Sequence, residues 1–379
     1  MPTPRYVLIA NPGTPRCETY RHELSAYWAA RGIEPELELV PWAEVVSRDG
    51  NLDDLPAFDR PAIVRLESPG KDAIATRLLL EAGARDDPAE AQRDWQSVPI
   101  PRGLVLRPAL VQRGFRRVLL GLRRAFDSRS HLAPTACPLA IAHMFDKMAT
   151  ALELIRAGVP MPEMLPFRPT DFAVAQEAIA ARGWPTAYVK LNTGSSASGI
   201  IVLNRAPEPF GITSLARAGD AYYNSRLLRR LTGPDLERAV AFILAEEPFL
   251  QCGIPMAQID GQNFDVRVIC VHGRPVASIF RLSSAPMTNL HLGGRRGDSA
   301  HCRALIPKRA WLDALDHCAV AAGRFDSAIA GVDLVFERGY RRHFLLEVNA
   351  FGDFFPGWKD AQGRSIHALE IEATAARHG

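Results

Sequence analysis

FLLEVNAFGDFFPGW, residues 344–358, begins as an apolar run and is interrupted near its end by Glu347 and Asn349. Side chains two apart on a strand share a face, so these two polar groups point the same way. A buried carboxylate must pair, neutralise or bind a metal, because leaving it bare is too costly. Working upstream, GVDLVF (331–336) is a strand candidate, ERGYRRH (337–343) a polar turn and FLLEVN the returning strand. A hairpin symmetric about Tyr340 sets Phe336 opposite Phe344 and Asp333 opposite Glu347. Cross-strand partners project onto one face, which gathers Asp333, Glu347 and Asn349 into an oxygen-rich cluster. That cluster depends on register, since a one-residue slip turns one strand over. Oxygen ligands at this density suit Mg²⁺. An ion pair between Glu347 and one of the many arginines is the competing reading.

The bulk properties narrow the setting. At 379 residues the chain is long enough for two or three domains, and 47% hydrophobic residues suit a globular protein. Forty-five basic against 42 acidic residues leave a net charge of +3, which makes no case for nucleic acid or a membrane surface. The six cysteines form no CxxC pair and no zinc-like spacing, so free thiols in a reducing cytoplasm are expected. The opening MPTPRYVLIANPG does not read as a signal peptide, and no apolar run approaches membrane-spanning length.

Along the first third, strand candidates Tyr6–Ala10, Glu36–Val40 and Ala62–Leu66 alternate with helical stretches, which predicts a small open parallel sheet. Ligands in such sheets sit beyond the carboxyl ends of the strands, which singles out the loops 11–16 and 67–71; plain turns are the alternative. Neither GxGxxG nor GxxxxGK[ST] occurs there. Residues 107–124 carry Arg113, Arg116, Arg117, Arg123 and Arg124 on an amphipathic pattern. A solvated helix face is expected, ahead of a membrane-surface or acidic-partner helix. Pro134 to Pro138 reads as a linker, and His143–Ala157 as one helix with Met148, Leu152 and Ile155 as its apolar stripe.

Two further segments can carry chemistry. In TAYVKLNTGSSASGIIVL (186–203), Lys190 ends an apolar strand and Gly194 and Gly199 bracket a serine-rich turn. Small residues let backbone amides approach phosphate, and the lysine adds a point charge; a ligand-free hairpin loop is the alternative. In residues 265–298, Arg267 and Arg281 fall on adjacent strands, followed by Asn289, His291 and Gly293-Gly294. Two arginines beside such a loop suit a developing anionic transition state; a surface residue or an ion-pair partner of Asp265 is the alternative for either.

Taken in order, FDKMATALELIRAGVPMPE, VKLNTGSSASGI, DVRVICVHGRPVASIFR, NLHLGG, GVDLVF and LLEVN resemble the ATP-grasp superfamily, in particular the ribosomal-protein glutamate ligase and glutathione synthetase branch. The resemblance covers Asp146 to Phe355, and VRLESPG in the first segment resembles uncharacterised bacterial ATP-grasp proteins. It implies an α/β (α+β ATP-grasp) fold: an N-terminal Rossmann-like domain over 1–130, a central lid subdomain over 131–250 and a metal-bearing subdomain over 251–379. It implies ATP and Mg²⁺, with Mn²⁺ as a substitute ion. Lys147 and Lys190 would hold phosphates beneath a loop containing Thr193, Gly194, Ser195, Ser196 and Gly199. Gln251, Cys252 and Gly253 would supply backbone groups to adenine, Asp265 would lie at the ribose and Asn289 near the phosphates. Arg281, with Arg267, would stabilise the transferring phosphoryl group, and Asp333, Glu347 and Asn349 would bind the metal.

Three departures stand out: a serine-rich loop, Cys252-Gly253 at the hinge, and the aromatic segment 352–358 after Asn349, which is expected to line the acceptor site. The implied activity is ATP-dependent carboxylate–amine ligation through an acyl phosphate. A phosphotransferase and a non-catalytic nucleotide-binding module are its rivals. The expected partners are small carboxylate and amine substrates such as amino acids or a peptide, with no nucleic acid or membrane, and a homodimer as one allowed assembly.

Overall fold

The computed structural model describes residues 3–70, 72–194, 198–353 and 355–378. Among these residues the strands form three sheets. The first contains β1 (Arg5–Ala10), β2 (Glu36–Pro41), β3 (Ala62–Leu66) and β4 (Leu132–Pro134) in the order β2-β1-β3-β4. All its pairings are parallel, as the alternating strand and helix candidates predict. Every residue of β1 is buried, because helices cover both faces of the sheet. On one side Tyr6, Leu8 and Ala10 meet Cys17, Tyr20 and Leu24 of the Pro15–Ala29 helix, together with Ile371 of the C-terminal helix Ile366–His378. On the other, Val7 and Ile9 share a core with Phe115, Val118 and Leu122 of the Pro108–Asp127 helix.

That last helix contains the arginine-rich stretch. Its apolar face is buried, and glycines let it approach its neighbours: a Cβ on Gly114 would lie 1.9 Å from the Leu79 carbonyl oxygen. Its other face is a solvated, ion-paired surface, with Arg113 3.7 Å from Asp87, Arg123 2.8 Å from Asp127 and Arg117 beside Asp86. The 134–138 linker does not exist. Pro134 belongs to β4, Thr135 donates to the Val64 carbonyl at 2.8 Å, and Ala136 bridges Ser327. Backbone hydrogen bonds to two separate units hold this segment in place.

The expected single helix at His143–Ala157 is two, Pro138–Phe145 and Lys147–Arg156, broken at Asp146, whose carboxylate caps the second by accepting from Ala149 N–H at 2.9 Å. Its buried residues are Thr150, Ala151 and Leu154, whereas Leu152 and Ile155 are 39% and 47% exposed. The stripe therefore faces the other way: the small residues pack inward.

The second sheet contains β5 (Thr186–Leu191), β6 (Ile200–Asn204), β7 (Phe210–Ala218), β8 (Ala221–Thr232) and β9 (Pro248–Cys252), in the antiparallel order β8-β7-β6-β5-β9. The third contains β10 (Gln258–Ile259), β11 (Gln262–Val271), β12 (Arg274–Ser283), β13 (Arg295–Arg296), β14 (Ile329–Phe336) and β15 (His343–Asn349), with β13-β12-β11-β14-β15 as its main path. Asp333 opposes Glu347 as the hairpin reading requires. Nearer the turn the register differs: Phe336 opposes His343 and Val335 opposes Phe344. A bulge between Asp333 and Leu334 leaves Leu346 unpaired and absorbs the one-residue difference. Among the described residues no helix is long and apolar enough to cross a membrane.

Candidate active site

The charged residues singled out in the sequence converge in a cleft between the second and third sheets. Lys147 stands at the start of its helix. Its Nζ donates to the Gly194 carbonyl at 2.7 Å and lies 3.3 Å from Glu347 Oε2 on β15. The platform beneath it comes from two residues the sequence reading passed over. Buried Asn192 accepts from Met148 N–H and donates to Asp146, both at 2.9 Å, and its carbonyl receives Lys147 N–H at 3.2 Å. An Asp immediately before a helical stretch is a capping signal that could have identified Asp146.

Lys190, near the end of β5, is buried and donates to Gln251 Oε1 on β9 at 2.8 Å. Burial brings its ammonium down to about 8, against the supporting charge of Glu347. The turn after it is closed by Leu191 N–H on the Gly199 carbonyl at 3.0 Å and by Gly194 N–H on the Leu191 carbonyl at 3.3 Å, beside Thr193. Gly199 sits at φ +64°, where a Cβ would fall 2.2 Å from Leu191 Cδ1. Ser195 and Ser196 lie outside the described residues.

Across the cleft, Arg267 and Arg281 divide three carboxylates between them. Arg281 grips Asp265 through two bonds, one of 2.7 Å from Nε, and lies 3.1 Å from Asp333. Arg267 also grips Asp333 through two bonds, one of 2.9 Å from Nη2, and reaches Asp353 at 2.9 Å. Burial pushes the Asp333 carboxyl up, but the two guanidiniums outweigh it and hold the group well below the usual carboxylate range. At Asp265 burial wins over Arg281 and the carboxyl is raised. Asn349 donates to the Gly331 carbonyl at 3.2 Å and to Glu347 Oε1 at 3.3 Å, so its amide oxygen faces away from both. Asn289 starts a single 3₁₀ turn, its carbonyl accepting from Leu292 N–H at 2.9 Å, while its neighbour Pro286 takes the Tyr188 hydroxyl at 2.8 Å.

At the hinge, the backbone groups are committed within the protein. Cys252 N–H donates to the Glu163 carbonyl at 2.7 Å and Gly253 N–H to the Thr186 carbonyl at 2.8 Å. The side chain of Gln251, in contrast, faces Lys190. Among the described residues no group of three or more His, Cys, Asp or Glu side chains is preassembled around a cation position. The donor set of Asp333, Glu347 and Asn349 nevertheless has the hard-oxygen chemistry of a magnesium site. The four cations Lys147, Lys190, Arg267 and Arg281 equal in number the four carboxylates Asp265, Asp333, Glu347 and Asp353, although Arg267 holds two of these and Lys190 bonds to Gln251 instead. A polyphosphate entering this balanced set brings excess negative charge, which a divalent cation on Asp333 and Glu347 would offset once their present partners turn to the phosphates.

No family model matches the chain. It is 24% identical over 242 residues to a "probable α-L-glutamate ligase" of Xanthomonas campestris pv. campestris strain B100, and equally to that of strain 8004. The match takes in 63% of this chain and 66% of the relative, just under two thirds of its length. Among solved structures, a D-cycloserine synthetase aligns with a TM-score of 0.54 at 14% identity, over 99% of each chain. A D-alanine–D-alanine ligase from Bacillus anthracis complexed with ATP aligns at 0.54 and 12% identity, over 100% of this chain and 98% of that one. A macrocyclase from Microcystis aeruginosa MRC bound with its precursor peptide aligns at 0.53 and 10% identity, over 98% and 99%. These are ATP-grasp enzymes, and the architecture of this chain is the ATP-grasp fold.

Proposed function

We propose that this protein is an ATP-dependent carboxylate–amine ligase that works through an acyl phosphate. The observation that carries the reading is the convergence of Lys147 and Lys190 from one side and Asp333, Glu347, Arg267 and Arg281 from the other on one cleft. Lys147 and Lys190 would hold the phosphates of ATP. Arg281 would turn from Asp333 to the γ-phosphoryl group as charge spreads over its oxygens. Arg267, held by Asp333 and Asp353, would keep that edge in place. Asp333, Glu347 and Asn349 would hold Mg²⁺ or Mn²⁺, which supplies charge neutralisation to the triphosphate.

In the first step a substrate carboxylate oxygen bonds to the γ-phosphorus as the bond to the β-bridging oxygen breaks, and ADP leaves. In the second, a neutral amine adds to the acyl carbon, inorganic phosphate leaves with the C–O electron pair, and the amine proton passes to solvent. Phosphorylation turns a poor electrophile into one with a leaving group, while positioning supplies much of the rate. The relatives' names favour an amino acid or a peptide as the substrate class. The division into 1–130, 131–250 and 251–379 is part of the same proposal.

The test is an ADP-release screen over carboxylate and amine pairs, comparing wild type with Glu347→Ala. Carboxylate-dependent ADP and a hydroxamate trapped by hydroxylamine are expected, both lost in the variant. AMP as product would sink the acyl-phosphate route. A stable phosphorylated product without amide would assign a phosphotransferase instead.

A further inference from the structure

Of the four carboxylates in the cleft, three are already committed. Asp333 and Glu347 go to the metal in the proposed reaction, and Asp265 is buried in the grip of Arg281. Asp353 has no part in the chemistry beyond its bond to Arg267. It is also the most open of the four, its side chain 32% exposed against 26% for Glu347, 8% for Asp333 and 6% for Asp265. The 2.9 Å bond from Arg267 Nη1 falls on Oδ2, and a carboxylate has about four lone-pair sites, so this side chain has capacity for a further donor.

The fold fixes this carboxylate beside the metal edge. Just past Asn349 the chain turns at Gly352, which takes φ +60° and where a Cβ would fall 2.8 Å from the Ile329 side chain. On one side of Asp353, Phe351 is buried and its carbonyl receives Arg16. On the other, Phe355 is buried with Ile269, Ile279 and Ile366, and Arg296 donates to the Pro356 carbonyl at 3.1 Å. Arg267 gives Nη1 to Asp353 and Nη2 to Asp333, each at 2.9 Å. A group bound at Asp353 therefore stands one guanidinium away from the carboxylate that would hold the metal.

The second step of the proposed reaction needs an amine near that edge. Amines are largely protonated at neutral pH, so the substrate arrives as an ammonium ion, which has donors and no acceptor. Lys147, Lys190, Arg267 and Arg281 are donors too and cannot receive it. A triphosphate and a carboxylate substrate carry more negative charge than one Mg²⁺ removes, which favours a cation here once they are bound. We infer that Asp353 receives the ammonium group of the amine substrate, and that the nucleophile this cleft takes is a free amino group, not a hydroxyl or an amide nitrogen. This rests on the ligase reading of the cleft and adds to it the residue that selects the nucleophile. The held ammonium first gives one proton to solvent. Its lone pair then attacks the acyl carbon, phosphate leaves with the C–O electron pair, and a second proton follows the first.

The test sets two kinds of nucleophile against wild type and Asp353→Asn, with the carboxylate found by ADP release. L- and D-amino acids carry an ammonium group at pH about 7, whereas hydroxylamine is largely neutral there and needs no counter-charge. Asparagine still accepts from Arg267 through its amide oxygen but has no charge for an ammonium. In the variant, kcat/KM for the amino acid should fall about tenfold to a hundredfold relative to that for hydroxylamine, the worth of a charge-assisted hydrogen bond. If the asparagine variant does not fold, Asp353→Glu, which moves the charge by one methylene, should shift the same ratio in the same direction by a smaller factor. Equal losses with both nucleophiles make Asp353 a positioning residue for Arg267 and overturn the inference, with the ligase proposal left standing. Wild type that forms hydroxamate but no amide with any amino acid overturns it as well. Absence of hydroxamate from wild type removes the ligase reading itself.

Discussion

Two sets of buried ions in this chain are completed in different ways. In the first sheet, Arg65 donates to Glu370 at 2.7 and 3.1 Å and to Glu67 at 2.7 Å, with its guanidinium 4.0 Å from the centre of the Tyr20 ring. Glu67 also receives Arg16 and Ser68 N–H at 2.8 Å, and Glu370 lies 3.3 Å from His367. The charges there are saturated. In the cleft, Lys190 has Gln251 as its hydrogen-bond partner at 2.8 Å, the Gln251 amide nitrogen has no partner among the described residues, and Glu347 meets Lys147 while 26% exposed. A saturated buried ion set holds structure, whereas one with spare valence is prepared to receive a ligand. Arg16 joins the two regions, since it also donates to the Phe351 carbonyl, two residues before Asp353.

The largest effect that can break this contrast is Arg65→Leu. It takes the guanidinium from buried Glu370 and leaves Glu67 with Arg16 as its one cation, and is expected to lower unfolding free energy by about 3–5 kcal/mol in denaturant titrations, with nucleotide affinity of the folded protein unchanged. Loss of nucleotide binding at intact stability would reverse the roles assigned to the two regions.

Acid probes the same set without mutation. Burial raises the Glu370 carboxyl, but Arg65 and His367 outweigh it and hold the group at about 2, below its ordinary 4.5. Its ionised form therefore contributes stability, about 3 kcal/mol, that is complete above pH ~4.5 and lost as pH falls toward 2. Arg65→Leu should abolish that part of the acid dependence, as followed by unfolding free energy against pH.

In the cleft the sign is opposite. Lys190, lowered from 10.5 to about 8, costs stability at neutral pH, and stability should rise between pH 8 and 10.5 as the folded protein binds fewer protons than the unfolded chain. Lys190→Met should thus leave stability unchanged or improved while weakening ATP binding about tenfold to a hundredfold, the worth of a charge-assisted hydrogen bond. ATP affinity of wild type should fall as pH rises above 8, with proton uptake on binding seen by calorimetry in buffers of different ionisation enthalpy. Destabilisation by more than about 2 kcal/mol in Lys190→Met would make the lysine a structural cation.

Arg16→Ala is the smallest change, about 1 kcal/mol in stability. It should raise KM for the carboxylate substrate with ATP affinity constant, if the segment beginning at Phe351 lines the acceptor site. Phe354 within that segment and Lys71 in the loop after β3 lie outside the described residues.

The first and third sheets were legible in large part because burial leaves a direct trace: continuous apolar strands in β1 and β3, and a polar pair at period two in β15. The long β7–β8 hairpin was not read, because its half-exposed strands mix arginine, asparagine and leucine with little period. Leu152 and Ile155 misled because hydrophobicity alone does not say which face packs. The partner of Arg65 lies 305 residues away at Glu370, beyond any local pattern. Within the cleft, the residue types were visible, but pairings such as Arg267 with Asp353 depend on how separate segments meet.

The bulge at Leu346 has a consequence for how this hairpin can vary. An uninterrupted ladder running from the Phe336–His343 pair would bring Leu346 opposite Asp333, and Glu347 would rotate toward the core face. The extra residue resets the phase of β15 between the turn and the metal edge. Turn and carboxylates are thereby two separately tunable parts. Replacing residues 338–341 with a turn of another length and shape gives up the Arg338 bond to the Pro255 carbonyl and the packing of Tyr340 on Phe264 and Phe336, but, with the Glu337–Arg342 closure kept, leaves Asp333 facing Glu347.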